Sequence, residues 1–397
     1  MAKSQGEPSR EARDQAARLA RRAVDVLPAG RLAEQLSEGR PLRVKFGIDP
    51  TAPDIHLGHT VALGKLREFQ DEGHTVVLII GDFTARVGDP SGRSAQRPVL
   101  GAEEIDANAR TFQEQAFKVL DPERTEVRFN SEWLRMEAGE LFGLMARATV
   151  ARLLERDDFQ KRLRDQAPIA LLELLYPLLQ GYDSAAIDAD VEVGGTEQKF
   201  NLLVGRDIQS ALGKEPQSIL TMPILTGIDG SRRMSKSLDN YIGVTDPPQE
   251  MFGKVMRIPD ELMPAYFDLV LRRTVPDGVP PNEAKRALAR DIVGRFHGNE
   301  AAVGAEEHFD RLFVRHEAPE KLEELTVAPN GDVHLPAVLA EGFGLSRSEA
   351  RRLLDQGGVR LDGEVVPGEP LDVDPATLDG RVLQVGRRRH RRVRVAG

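Results

Sequence analysis

Two segments carry residue types that could bind a polyphosphate. The first lies within Val44–Gly64 and contains a threonine and two histidines three residues apart with a glycine between them: Thr51, His56, Gly58 and His59. At a helix N-terminus the helix dipole and the unpaired N–H groups favour an anion, and imidazole and hydroxyl groups add donors. A histidine pair alone is weak evidence, because most such pairs are solvated side chains that bind nothing.

The second segment is a basic loop within Gly227–Ser237, and its Ser235, Lys236 and Ser237 could surround a phosphate with hydroxyl donors and a mobile cation. Taken alone, this segment is better explained as a solvated loop. Phosphate binding becomes the better explanation because the loop occurs downstream of the histidine segment.

A third group suits recognition of a small polar molecule. Tyr176, Gln180 and Asp183 have the i, i+4, i+7 spacing of one helix face. Downstream, Gly194–Gln198 follows a predicted strand end and could approach a ligand closely. A ligand site and a buried polar network that satisfies itself are equally good explanations of this group.

The elements that would position these residues predict an α/β fold. Val44–Ile48 alternates as a strand, with Asp54 as a possible cap of the helix from Ile55 to before Gly73, and Thr75–Asp82 is a buried strand. Strand, helix and strand in this order begin a doubly wound parallel sheet, whose ligands lie at the carboxyl ends of the strands. Further strands are predicted at Glu126–Phe129, Ala189–Gly195 and Ser218–Leu225, and a helix at Asn201–Leu212.

We predict four regions along the 397 residues. They are an N-terminal helical segment at 1–40, with helix from about Arg10 to Leu36; a Rossmann-type catalytic domain at 41–240, with a mostly helical insertion at about 115–185; a helical domain at 241–328; and a small α+β domain at 332–397. In the insertion, the apolar run Leu171–Leu179 suits a core helix, a dimer face or both.

Composition limits the chemistry further. The chain has no cysteine, which excludes disulfides, thiolate metal sites and cysteine nucleophiles, and we predict no protein-bound metal. The absence of a membrane-spanning or secretory run makes a cytoplasmic enzyme the expected class. Because the net charge is −9, RNA contact would need local basic patches. One is predicted near the C-terminus, at Arg347, Arg351, Arg352, Arg387, Arg388 and Arg389.

Together these segments resemble a known family. P-T-A-P-D-I-H-L-G-H is similar to the HIGH region of class I aminoacyl-tRNA synthetases, and S-R-R-M-S-K-S is similar to their KMSKS loop. With the Tyr176 group, nearly the whole chain resembles the bacterial tyrosyl-tRNA synthetases. The segment from Leu345 to Val366 resembles an S4 RNA-binding domain.

The resemblance implies roles for individual residues. The implied catalytic residues are Thr51, His56, His59, Arg233 and Lys236. The implied ATP-binding residues are Gly47, Asp49, His56, Gly58, His59, Gly195, Glu197, Ser235, Lys236 and Ser237. The implied tyrosine-binding residues are Thr84, Asp89, Tyr176, Gln180, Asp183 and Gln198, and the basic patch would bind RNA. The chain departs from the family pattern at Arg233, usually lysine, at Lys45, where one branch has a phenol-binding tyrosine, and at Phe46, where some relatives have a polar ribose contact.

The implied activity is tyrosine–tRNA ligation, with tyrosine, ATP carrying Mg²⁺, and tRNA(Tyr) as partners and a homodimer as the assembly. The nearest alternative is a tryptophanyl-tRNA synthetase, against which the Tyr176 group and the S4-like segment count. An RNA-binding protein on a synthetase scaffold would be expected to lack the catalytic residues, which are present. A different nucleotidyltransferase would not explain the downstream elements.

Overall fold

The computed structural model describes residues 7–50, 54–89, 101–315, 322–328, 331–386 and 389–396. Thr51, Arg387 and Arg388 lie outside these ranges. The chain divides into two compact units, Met1–Gly298 and Asn299–Gly397.

A six-stranded sheet forms the centre of the first unit. Its strands are β1 (Asp25–Leu27), β2 (Arg43–Ile48), β3 (Thr75–Ile80), β4 (Thr125–Phe129), β5 (Val191–Gly195) and β6 (Ser218–Met222). Their order is β1-β6-β5-β2-β3-β4, and every neighbouring pair is parallel except β1 with β6. The order reverses between β2 and β5, as in a doubly wound fold, so the predicted fold class is confirmed.

Helices surround this sheet. They are α1 (Arg10–Ala20), α2 (Arg31–Leu36), α3 (Leu57–Asp71), α4 (Thr84–Val87), α5 (Ala102–Ala116), α6 (Ser131–Leu134), α7 (Ala138–Met145), α8 (Val150–Leu153), α9 (Asp157–Arg164), α10 (Leu171–Ala186), α11 (Lys199–Ala211), α12 (Pro248–Met256), α13 (Met263–Leu269) and α14 (Pro281–His297). The five residues Val76–Ile80 of β3 are all buried, as expected for a central strand with both faces covered.

The N-terminal segment differs from the predicted helix. The helix ends at Ala20, and β1 pairs antiparallel with β6 at the edge of the sheet. The carboxylate of Asp25 accepts a hydrogen bond from the Thr221 hydroxyl at 2.6 Å, which helps to hold the strand there. Gly30 then adopts a φ of 82° before the next helix begins. Pairing with a distant strand therefore overrides the local helical composition.

The long helix α10 is partly buried and partly exposed. Leu178 and Leu179 are buried in a cluster with Leu134 and Ile208. At the start of the same helix, Leu171 and Leu172 are exposed. One face of the helix thus belongs to the core, and its first turn is left uncovered in the isolated chain.

The second unit begins with a helix and continues as two small sheets with two helices. Its elements are α15 (Asn299–Phe309), β7 (Glu323–Val327), β8 (Val333–His334), α16 (Leu335–Phe343), α17 (Arg347–Asp355), β9 (Val359–Leu361), β10 (Glu364–Val365), β11 (Asp372–Val373), β12 (Val382–Val385) and β13 (Arg389–Val395). The strand orders are β10-β9-β12-β13-β7 and β11-β8.

Helix α17 is followed by a hairpin of β9 and β10, as expected for a small α+β domain. Ser346 caps α17, because its side chain accepts from the backbone N–H of Glu349 at 3.2 Å. The turn between β9 and β10 is formed by Asp362 and Gly363, which have φ values of 48° and 89°. Buried aliphatic side chains from α16, α17 and five strands form the core of the unit.

Candidate active site

A cavity of about 580 Å³ opens at the carboxyl ends of the parallel strands. Its size lies within the range of small-molecule sites. Every predicted active-site residue within the described ranges lines it: Gly47, Asp49, His56, Gly58, His59, Thr84, Asp89, Tyr176, Gln180, Asp183, Gly195, Glu197, Gln198, Arg233, Ser235, Lys236 and Ser237. The structure therefore brings together three groups that lie far apart in sequence.

The two histidines meet at the first turn of α3. The N-cap residue is His56 and not the predicted Asp54, and the backbone N–H of His56 donates to Nδ1 of His59 at 3.2 Å. The rings stack with centroids 3.9 Å apart. Because Nδ1 of His59 accepts this hydrogen bond, the proton of the neutral ring is on Nε2. Among the described residues, Nδ1 of His56 is buried without a hydrogen-bond partner, so it can bond to a ligand.

Both imidazoles are neutral at pH 7. Burial is the main cause of the lowered pKa of His56, assisted by His59 and by the positive charge of Lys236. Burial, again with Lys236, lowers the pKa of His59 to about 4. The pair therefore acts through hydrogen bonds, and Lys236 and Arg233 are cationic side chains that line the same cavity.

Gly58 is required by the histidine beside it. A Cβ at this position would lie 2.9 Å from Cε1 and Nδ1 of His56, a distance that would force the ring to move. In the structure, the ring that approaches the glycine is that of His56.

The basic loop is joined to the histidine segment. Backbone N–H groups of Leu57 and Val244 donate to the carbonyls of Ile242 and Ile55, both at 2.9 Å. The Lys236 ammonium forms an ion pair with the Asp54 carboxylate. Sequence reasoning assigned Asp54 to a helix cap and missed this pairing, which links residues 182 positions apart.

Asn240 holds the basic loop in shape. Its side-chain oxygen accepts from the Ser235 backbone N–H at 2.8 Å. Its amide nitrogen donates to the carboxylate of Asp229 and to the carbonyl of Arg233, both at 3.0 Å. This buried residue was not predicted, although a buried asparagine beside a Gly/Ser-rich loop is a typical side-chain-to-backbone device.

Asp49 connects the histidine segment to α4 and α10. Its carboxylate accepts from the Tyr176 hydroxyl at 2.9 Å and from the Thr84 hydroxyl at 2.7 Å. Because the Tyr176 hydroxyl donates its hydrogen bond to Asp49, its oxygen can still accept a hydrogen bond from a ligand in the cavity. Burial, together with Asp49, raises the pKa of Tyr176 well above its usual value, so this proton is retained.

Asp183 is a buried carboxylate with two donors that sequence reasoning missed. The Trp133 indole donates to one oxygen at 2.8 Å, and the Asn130 amide lies 3.4 Å from the other. Burial raises the pKa of Asp183 to about 6, while the charge of Lys45 and these two donors oppose the rise. Asn130 follows the end of β4, the strand-end position where ligand-site residues collect in such sheets.

The acidic residues at the other side of the cavity have different environments. Gln198 donates from Nε2 to the Asp89 carboxylate at 2.8 Å. Burial raises the pKa of Glu197, and the charge of Arg233 partly offsets this.

Within the described part of the chain, no group of three histidine or acidic side chains is arranged to hold a metal ion.

Comparison with known proteins places the chain in a family. A family model described as tRNA synthetases class I (W and Y) matches residues 37–314, more than half of the chain, and an S4 domain model matches residues 335–367. The chain belongs to the class I tRNA synthetases (W and Y). Its C-terminal S4 domain also agrees with the resemblance seen in the sequence.

Relatives place this synthetase among the bacterial tyrosine–tRNA ligases. A tyrosine–tRNA ligase of Geobacter sulfurreducens is 50% identical and covers 96% of this chain and 99% of its own. One from Moorella thermoacetica is also 50% identical, over 95% of both chains. The fold agrees with the tyrosyl-tRNA synthetase of Archaeoglobus fulgidus solved with L-tyrosine, at a TM-score of 0.59 and 22% identity over 75% of this chain and 99% of that one.

The departure at Lys45 has a structural explanation in this synthetase. Lys45 is fully buried, and its ammonium lies 2.8 Å from the Glu192 carboxylate. It also donates to the Ser184 hydroxyl and to the Gln180 carbonyl, both at 2.8 Å. The lysine is therefore part of a buried ion pair beneath α10, whose partner Glu192 was not predicted from the sequence.

The predicted RNA-binding arginines that the structure describes are exposed in the second unit, which contains the S4 domain and is called the S4 unit below. Arg347, Arg351 and Arg352 are exposed on α17, and Arg389 is exposed at the start of β13. Arg391 and Arg394 of β13, by contrast, pair with Glu323 and Glu324 of the neighbouring strand. The exposed arginines of α17 thus keep their charge available.

Over the part of the chain that the structure describes, no helix is both long and apolar enough to span a bilayer.

Proposed function

We propose that this protein joins tyrosine to ATP as tyrosyl-adenylate and then transfers the tyrosyl group to the 3′ end of tRNA(Tyr). The observation that carries the proposal is the cavity lined by both phosphate-binding segments and by the Tyr176–Gln180–Asp183 face. The high identity to tyrosine–tRNA ligases supports the same substrates. The tRNA it serves is charged during protein synthesis, so a cytoplasmic location goes with the proposal.

In the first step, an oxygen of the tyrosine carboxylate attacks the α-phosphorus of ATP. The bond from that phosphorus to the bridging oxygen breaks, and pyrophosphate leaves with the electron pair. The enzyme's contribution is positioning and charge stabilisation, because this chemistry needs no protein nucleophile. Lys236 and Arg233 supply positive charge, and neutral His56 and His59 supply hydrogen bonds at the N-terminus of α3. Thr51 is proposed as a further contact to the γ-phosphate.

Lys236 must exchange partners during this step. Its ammonium pairs with Asp54 in the structure. The triphosphate carries more negative charge than one carboxylate and can compete for the ammonium. Loop movement that carries Lys236 from Asp54 to the leaving pyrophosphate would therefore accompany adenylate formation.

The phenol is proposed to bind at Asp183. Its carboxylate is held by Trp133 and Asn130 in a buried site, where it can accept a hydrogen bond from the phenol hydroxyl. Phenylalanine would leave this buried acceptor unpaired, and a discrimination of about 10⁵ between the two amino acids is already established for tyrosyl-tRNA synthetases as a class. Asp89, Tyr176 and Gln180 are proposed to bind the α-amino group, Gln198 the carboxylate, and Glu197 the ribose.

In the second step, a ribose hydroxyl at the 3′ end of the tRNA attacks the tyrosyl carbonyl, and AMP leaves. We assign tRNA contacts to the helical region 241–328 and to the S4 unit, where Arg347, Arg351 and Arg352 would meet phosphates. Arg387, Arg388 and Arg389 would add contacts in the same unit.

Magnesium is proposed to enter with ATP. It would neutralise part of the phosphate charge, a role that usually needs few protein ligands.

We also propose a homodimer. Exposed apolar side chains are concentrated in the segment between β4 and β5, at Phe142, Met145, Val150, Leu163, Leu171 and Leu172. Apolar surface of this kind commonly marks a protein interface. Light scattering at micromolar concentration should give twice the chain mass, and a monomeric mass would contradict the dimer without affecting the catalytic proposal.

The deciding experiment is amino-acid-dependent ATP–pyrophosphate exchange with tyrosine, tryptophan and phenylalanine. Exchange with tyrosine alone is the expected result. Exchange with tryptophan would retain the reaction but overturn the assignment around Asp183. A folded protein that exchanges with none of the three would favour the RNA-binding alternative.

A further inference from the structure

A chain of polar side chains runs from the segment between β4 and β5 into the cavity. Arg156 donates from Nη1 to the side-chain oxygen of Asn201 at 2.9 Å. Asn201 donates from Nδ2 to the side-chain oxygens of Gln180 and Gln198, both at 3.0 Å. Neither Arg156 nor Asn201 lines the cavity, and both are buried, with 5% and 1% of their surface exposed.

The two ends of this network determine which way each amide points. Arginine can only donate, so the Asn201 oxygen faces Arg156 and its nitrogen faces the two glutamines. At the far end, ionised carboxylates can only accept. Gln180 donates from Nε2 to Glu192 at 3.3 Å, and Gln198 donates from Nε2 to Asp89 at 2.8 Å. If any of these amides were turned over, a donor would face a donor or an acceptor would face an acceptor.

Arg156 is held firmly enough to impose this direction. It makes two hydrogen bonds with the Asp158 carboxylate, at 3.0 and 2.9 Å. Its guanidinium also lies 4.9 Å from the Phe159 ring centroid and 5.8 Å from that of Phe200. Cation–π contacts of this kind add to the hold on a buried guanidinium.

We propose that Arg156 and Asn201 are positioning residues that make Gln180 present its oxygen, rather than its NH₂ group, to the substrate ammonium. An amide oxygen has two lone pairs, so it can accept from Asn201 and from the ammonium together. This inference rests on the proposed function, in which Gln180 contacts the α-amino group of tyrosine.

The substitution Asn201→Asp tests the direction of the network with almost no change in volume. The carboxylate still accepts from Arg156, but an oxygen then faces the oxygens of Gln180 and Gln198. The contact with residue 201 is shorter, 3.0 Å against 3.3 Å for Gln180 with Glu192, so relief of that repulsion turns Gln180 and its NH₂ group meets the ammonium. The KM for tyrosine in pyrophosphate exchange should rise about 10- to 100-fold, the effect of one hydrogen bond to a charged group. The KM for ATP should change little.

The added negative charge cannot explain such a result, because it would attract the ammonium and lower the KM. A lowered or unchanged KM for tyrosine would overturn the proposal. Competitive inhibitors distinguish the loss of a contact to the ammonium from a general loss of binding in the site. Tyramine, which keeps the ammonium, should bind more weakly to the variant. Binding of 4-ethylphenol, which lacks both the ammonium and the carboxylate assigned to Gln198, should be preserved; equal weakening of both would also overturn the proposal.

Arg156→Lys and Arg156→Met form a second, matched pair. Lysine keeps a donor-only cation and should retain tyrosine affinity, while methionine removes the donor and should raise the KM for tyrosine alone. Equal effects of the two would contradict a role in hydrogen-bond direction. Thermal unfolding of each variant identifies those that fold. Wild-type protein without tyrosine-dependent exchange would instead reject the proposed function itself, together with this inference.

Discussion

Asp183 shows how one residue can acquire its properties from neighbours that are remote in sequence. Burial raises its pKa to about 6, and donors from Trp133 and Asn130 with the charge of Lys45 limit that rise. The carboxylate therefore stays ionised at pH 7 and can accept a hydrogen bond from a phenol. Its affinity for that donor depends on pH in a range where enzymes are readily assayed.

The first prediction concerns this pH dependence. Because a protonated Asp183 loses its charge as an acceptor, kcat/KM for tyrosine should fall as the pH drops through about 6. One unit below the pKa, the fall should be about tenfold. His59, whose pKa is about 4, stays neutral over this range and should not contribute. Pyrophosphate exchange measured from pH 5 to pH 8 at saturating ATP checks the prediction.

Trp133→Phe provides the control for this assignment. The indole hydrogen bond lowers the pKa of Asp183, so its removal should move the midpoint of the pH profile to higher pH. A profile that keeps its midpoint in this variant would mean that another group titrates.

At the scale of elements, the basic loop depends on one buried side chain. Asn240 binds the Ser235 backbone, the Arg233 carbonyl and the Asp229 carboxylate. The second prediction is that Asn240→Ala lowers the free energy of unfolding by about 1–3 kcal/mol, because buried backbone groups lose their partners. Exchange activity should fall as well, since Lys236 loses its fixed loop. Chemical denaturation and exchange kinetics on the same variant test both effects.

Ser231→Ala is the matched control in the same loop. Ser231 is exposed, and only its backbone N–H is bonded, to Asp229 at 3.3 Å. This variant should keep both stability and activity. If Ser231→Ala and Asn240→Ala behaved alike, general disturbance of the loop would explain the result better than loss of the Asn240 bonds.

Elements were predictable where the signal is local. The strand at Val44–Ile48, the helix after it and the apolar strand from Thr75 follow from periodicity, and the structure contains all three. The helix predicted for the N-terminal segment was wrong at Asp25–Leu27, where β1 forms. This edge strand forms because it pairs with a strand almost two hundred residues away in sequence. The local composition does not indicate which distant strand this segment pairs with.

The same distinction applies to the site. Motif residues such as His56, Lys236 and Asp183 could be identified from their spacing and from the family resemblance. Trp133 and Asn201 could not, because their role lies in contacts to side chains 50 and 45 positions away. Such partners become visible only when the fold has brought them together.

The whole molecule carries its charges unevenly. The net charge is −9, yet exposed arginines lie along α17 of the S4 unit. A polyanion is repelled by the overall charge and attracted by a local basic surface, so such a surface can direct where RNA binds. The adenylate chemistry proposed for the first unit involves no RNA until its second step.

The third prediction separates these two activities. Replacing Arg347, Arg351 and Arg352 together by glutamine should raise the KM for tRNA in tyrosylation at least about tenfold. The dependence of log KM on log salt concentration should become shallower by about 1 for each phosphate that the variant no longer binds. Tyrosine-dependent pyrophosphate exchange should keep its rate, because the reaction needs no tRNA. Parallel assays of tyrosylation and exchange across a salt series measure all three quantities.

The control is an equal change of charge elsewhere on the surface. Arg10, Arg13 and Arg21 are exposed in or beside α1, and their replacement by glutamine also removes three positive charges. If RNA responds to the local surface of α17, the control variant should keep the wild-type KM for tRNA and the wild-type salt dependence. Equal losses in both variants would show that net charge governs tRNA binding, and the assignment of the α17 arginines would then be wrong.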